Sequence, residues 1–202
     1  MQLTVHGSHK LIAREYTDGD LPMLIQFCTE CKELGYENNS SLEAIKLDKM
    51  IMPYGKFFIA LDGDRIVSIA GVHKLPEVHE HAYRCLFRGA QLNGYTPKFS
   101  MNMFTSGIHY TYFLYLQINY ILSVDENAEF FISTNINSDT GACSSRINAI
   151  MMPKMEKLGI WRLYEENMLL YNTMQNIWQI NTETYMNARA QWLVHQNALG
   201  LR

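Results

Sequence analysis

Long apolar runs are missing from this 202-residue chain. Its most hydrophobic stretch, Ile108 to Leu122, falls short of the roughly 20 residues a spanning helix needs, and it carries His109, Gln117 and Asn119. No membrane association is expected. A basic run is missing too: the formal net charge is −3, which gives no electrostatic case for nucleic acid. Met1 to His9 lacks the charged-then-apolar layout of a secretory signal, so a cytoplasmic protein is expected. Internal repeats and low-complexity segments are likewise absent.

Cysteine is scarce. Of the four, Cys28 and Cys31 share the C-x-x-C spacing of half a zinc site or a redox pair. No second pair follows, and both fall on the apolar stripe of a helical pattern, so they are read as core residues in a reducing compartment. His73, His79 and His81 cluster in sequence, but no third ligand stands at diagnostic spacing, and no metal is expected.

What is present is a globular composition, 48% hydrophobic and 18% charged, with no break that would divide residues 1–202 into two domains. Phe57 to His73 carries the strongest signal, two apolar strands joined at Asp62-Gly63 as a hairpin. Apolar residues occupy both alternating sets, Phe57, Ile59 and Leu61 against Phe58 and Ala60, so the hairpin is expected inside a sheet covered on both faces. Ahead of it, His9 to Tyr16 reads as a strand and Asp20 as a helix N-cap. Leu21, Leu24, Ile25, Cys28, Cys31 and Leu34 then form a helical stripe, and Ser40 and Glu43 open a second helix to about Met52. After it come a strand over Tyr83 to Leu92, a buried helix over Thr105 to Leu122, and a strand over Glu129 to Ile136. A helix ending at Gly159 follows, despite Pro153, then a strand pair within Trp161 to Ile180 and a terminal helix capped by Asn181.

That order resembles the GNAT superfamily of acyl-CoA-dependent N-acyltransferases. Ala13-Arg14-Glu15-Tyr16 through Asp20-Leu21-Pro22 is similar to the family's opening strand and first helix start, and Phe58 to Gly71 to its central hairpin. Phe130 to Asn135 is similar to its fifth strand, and Met155 to Ile160 to the end of its last helix. The resemblance spans Lys10 to Tyr171. It implies an α/β fold with a mixed, mainly antiparallel central sheet and helices on both faces, in one domain. It implies acetyl-CoA or another acyl-CoA as co-substrate and an amine on a small molecule or peptide as acceptor, and it allows a homodimer. In the family the pantetheine lies between splayed strands four and five. The matching positions here are Leu86, Phe87, Arg88, Gly89 and Ala90, with Asn135 on the fifth strand; Tyr36 and Asn38 fall near the acceptor.

Two departures stand against this. The family's glycine-rich pyrophosphate loop is replaced by Ala90 to Lys98 and a long approach to Thr105-Ser106-Gly107, which leaves Lys98, Ser106 and Gly107 as phosphate donors. Met155 occupies the place of the family's proton-donating tyrosine, while Asn148 matches a common asparagine. Tyr110, Tyr112 and Tyr115 are substitutes for the acid, and Glu77 and Glu80 are candidates for the base. A GNAT-shaped protein that has lost the chemistry is the main alternative, and an acyl-homoserine-lactone-synthase-like acyltransferase is another. Tyr171 to Tyr185 is also similar to uncharacterised tailed-phage proteins.

Overall fold

The computed structural model of the protein describes residues 2–5, 9–33, 55–92, 95, 108–136 and 151–198. Eight strands form one sheet in the order β1-β2-β3-β4-β5-β6-β8-β7. They are β1 Gln2–Val5, β2 His9–Glu15, β3 Lys56–Asp62, β4 Arg65–Lys74, β5 Ala82–Gln91, β6 Glu129–Asn135, β7 Trp161–Leu170 and β8 Thr173–Ile180. Every neighbouring pair is antiparallel except β5 and β6. The helices are α1 Leu21–Glu33, α2 Leu114–Leu122 with a π-helical turn His109–Phe113 ahead of it, α3 Met152–Lys157 and α4 Thr182–Ala198. β1, which pairs with β2, has no counterpart in the sequence reading.

The β3–β4 hairpin lies between β2 and β5, and both alternating sets of its side chains are buried, as the doubled apolar pattern requires. Its turn is shifted by one residue from the expected Asp62-Gly63. Asp62 pairs with Arg65, so Gly63 and Asp64 are the central residues, and Gly63 alone takes positive φ (59°). Glycine in the first central position is the requirement of a type II′ turn, not of the type I′ turn that Asp-Gly suggests.

Two local expectations change at α1. Thr17, not Asp20, precedes the first helical turn, and Asp20 reaches back to accept from the Thr17 amide (2.8 Å) and hydroxyl (2.9 Å). Its carboxylate also takes two bonds from Arg14, at 2.6 and 2.7 Å, which hold it below the ordinary carboxylate range. Ile25 is 47% exposed; Phe27 takes its place beside Leu24 and Cys31 in the core, because the stripe advances by three and four residues from Leu24. The second helix expected over Ser40 to Met52 lies outside the described residues.

The C-terminal half follows the sequence more closely. Gly159 ends α3 with φ 67°, and Pro153 is tolerated because it is the second residue of that helix. The Asn181 carboxamide accepts from the Thr184 amide at 3.0 Å and its carbonyl from Tyr185 at 2.9 Å. Asn181→Ala is expected to cost about 1 kcal/mol in a urea unfolding titration. α4 packs on the π-helical turn ahead of α2: Tyr185 donates to the Tyr110 carbonyl at 2.7 Å, and Arg189 to that of Thr111 at 2.6 Å.

Candidate functional site

β5 and β6 pair for three residues only, Ala82 to Arg84 against Glu129 to Phe131, and then part. β6 continues with β8 from Phe131 to Asn135, while β5 continues with β4 through Ala90 and Gln91. A fork therefore opens in the middle of the sheet. The sequence reading expects divergence near Arg88 to Ala90; it begins directly after Arg84. The cause is local. Leu86 and Arg88 hold positive φ (56° and 48°), and the β4–β5 register shifts on both sides of Gly71. These two bulges bend β5 away from its parallel neighbour.

Gln117, with no exposed surface, is the strut that holds this bend. It accepts from the Leu86 amide at 3.0 Å and donates to the carbonyls of Gly71 (3.0 Å) and Ala70 (3.3 Å). The Leu86 amide is thereby already paired within the protein. Further along, Ser68 donates to the Ala90 carbonyl at 3.0 Å and accepts from His109 Nε2 at 3.0 Å. His109 lies under Gly89, where an added Cβ would meet its ring at 3.3 Å. Burial pushes the His109 pKa down to about 4.

Of the expected cofactor positions, Phe87, Arg88, Gly89 and Ala90 all follow the fork on β5, and Asn135 closes β6 opposite Gln175. Arg88 and Gly89 fall between Phe87 and Ala90, which are registered with Gly71 and Ile69 of β4. Lys98, Ser106, Gly107, Tyr36, Asn38 and Asn148 lie outside the described residues. Met155 is 2% exposed and packed in the core. Tyr112 is buried, and Tyr115 lies under the Arg189 guanidinium at 3.8 Å. Glu77 and Glu80 are exposed on the β4–β5 connection. His81 binds Asp125 at 3.0 Å and His79 faces Glu129 at 3.5 Å.

A second set of residues converges on the fork without having been singled out for it. The β7–β8 hairpin is bent by register shifts and by Asn167 (φ 57°), and its tip reaches the sheet at β4 and β5. Tyr171 in that tip bonds His73 at 3.0 Å, and its ring lies 5.7 Å from Phe87. Arg84 stacks 4.8 Å from both rings and approaches Gln175, which also bonds Ser133 of β6. His73 is 4% exposed; burial and then the Arg84 charge lower its pKa to about 4. The signal available in sequence was Tyr171-Asn172 as a two-residue link between strands.

Solved structures with this architecture are known. The chain is similar to a spermidine N-acetyltransferase chimera from Vibrio cholerae and a human enzyme, with TM-score 0.53 and 12% identity over 88% of this chain and 98% of that one. It is similar to an Enterococcus faecium aminoglycoside 6'-N-acetyltransferase (TM-score 0.51, 11% identity, 83% and 95%) and to a Pseudomonas aeruginosa acyl-CoA N-acyltransferase (0.53, 8%, 86% and 99%). No family model and no curated protein matches the sequence. The fold is the GNAT fold, as the element order implied.

Proposed function

We propose that this chain, which has the GNAT fold, transfers an acetyl or other acyl group from acyl-CoA to an amine, with the pantetheine arm lying in the fork between β5 and β6. The observation that carries this reading is the fork itself: beyond Arg84 and Phe131 no ladder joins the two strands, and β5 is bent by two bulges at that point. Backbone groups at Phe87 to Ala90 supply pairing for the arm. An amide among them polarises the thioester carbonyl as negative charge develops on its oxygen. The amine attacks the carbonyl carbon directly, and the thiolate leaves. Asn135 borders the arm from β6; the family resemblance assigns the phosphates to Lys98 and the Ser106-Gly107 amides and the acceptor to Tyr36 and Asn38, all outside the described residues.

The alternative of a non-catalytic binding protein is favoured by one observation, the burial of Met155 where the family places its acid. Thermal unfolding with acetyl-CoA and with CoA, together with thiol release on mixing with amines, separates the readings. Binding at a hundredfold excess over Kd is expected to add about 2.7 kcal/mol of stability. A thermal shift without thiol release would favour the binding protein. The absence of any shift at millimolar acetyl-CoA would refute an acyl-CoA site.

A further inference from the structure

We propose that Tyr171, at the tip of the β7–β8 hairpin, carries the proton for acyl transfer in place of the helical tyrosine this chain lacks, and that His73 positions it. The proposal rests on acyl-CoA occupying the fork. Four observations converge on it. Tyr171 is 43% exposed, yet its hydroxyl is bonded to His73, which is buried. The His73 Nδ1 is bonded to the Lys74 carbonyl, which can only accept. The hydrogen is therefore on Nδ1, and Nε2 is left to accept from the Tyr171 hydroxyl. The phenol ring lies against Phe87, the second residue past Leu86's neighbour Cys85 on the fork strand, and beneath the Arg84 guanidinium. Finally, Tyr171 and Asn172 both hold positive φ (53° and 62°) as the central residues of their turn. Asparagine suits that conformation; tyrosine does not, and backbone strain of this kind concentrates at functional sites.

The proton account balances with Tyr171 alone. The amine nitrogen bonds to the thioester carbon, the C–S bond breaks, and its electron pair goes to sulfur. The Tyr171 hydrogen turns from His73 Nε2 to that sulfur and the phenol oxygen takes a proton from the nitrogen, so the products are an amide and a neutral thiol and the phenol is restored. Arg84 stabilises negative charge on the phenol oxygen during the exchange. His73 stays neutral at pH 7, so it orients the hydroxyl without removing its proton.

Tyr171→Phe keeps the ring and removes the proton. Thiol release from acetyl-CoA is measured with spermidine, kanamycin, phenethylamine and hydroxylamine, beside acetyl-CoA binding by calorimetry. Tyr171→Phe is expected to lower kcat about 100-fold with acetyl-CoA affinity unchanged. An aryl thioester, whose thiolate leaves without a proton, is expected to reduce the defect to about threefold. Tyr171→Asn, which suits the turn but gives up the ring contacts and the His73 bond, is expected to lose the same activity. Unchanged kcat in Tyr171→Phe, or a defect equally large with the aryl thioester, would overturn the role. Acetyl-CoA binding without turnover on any amine would also overturn it, leaving the fork reading intact; failure of acetyl-CoA to bind would overturn both.

Discussion

Gln117→Ala is expected to destabilise the protein by about 3 kcal/mol, read as a shift in the urea midpoint at constant slope. The side chain has no exposed surface and joins α2 to two strands through the Leu86 amide and the carbonyls of Ala70 and Gly71. Truncation deprives a buried amide of its acceptor, which costs about 1–3 kcal/mol, and adds a small cavity. Gln117→Glu gives a sharper test. A carboxylate can still accept from Leu86 but meets the two carbonyls without a hydrogen to donate. Its pKa must therefore rise, and the variant's deficit relative to the native protein is expected to shrink as the pH falls and the carboxyl is protonated. Equal stability of Gln117→Ala and the native protein would show that the bend in β5 does not depend on this strut.

Lowering the pH from 7 to 4.5 is expected to cost the native protein several kcal/mol through two buried histidines. His73 and His109 each have a pKa near 4 in the folded protein, against an ordinary 6.5. Between those values the unfolded chain binds more protons than the folded one, so stability rises with pH. The stabilisation is present above 6.5 and is lost as the pH falls through that window, at most about 3 kcal/mol for each histidine. His81, raised by Asp125, acts in the opposite sense, but it is exposed and its effect is screened. Asp20, held below the ordinary range by Arg14, contributes to the loss only below about pH 4. Proton uptake on unfolding at pH 5.5 is expected to fall by close to one in each of His73→Gln and His109→Gln. Uptake unchanged by either variant would mean that the ring is not buried as described.

How much of this was legible in the sequence depends on what each feature is made of. The β3–β4 hairpin was legible because burial on both faces leaves an apolar mark at every position from Phe57 to Leu61. The Gly159 and Asn181 caps were legible because each is a local rule satisfied by one residue. The turn at Gly63-Asp64 was misplaced by one residue because Asp-Gly and Gly-Asp both suit tight hairpins, and the choice is made by β3–β4 register, with its shift between Ala60 and Leu61. The fork itself is a property of backbone φ at Leu86 and Arg88, residues with no intrinsic preference for that region, so nothing in their identity announces it. Gln117 was readable in principle. It shares a helical stripe with Phe113, Leu114, Ile118 and Ile121, and a polar residue among buried neighbours needs partners. Tyr171 and His73 are separated by 98 residues, and their meeting depends on the bent β7–β8 hairpin, which no local pattern encodes.

The fork as an acyl-CoA site is tested most directly by titrating acetyl-CoA into isotope-labelled protein and following backbone amide resonances. The largest changes are expected at Phe87 to Ala90 on β5 and at Ser133 to Asn135 on β6, with Leu86 nearly fixed because Gln117 already holds its amide. Saturating changes confined to other elements, or none at millimolar acetyl-CoA, would contradict the account.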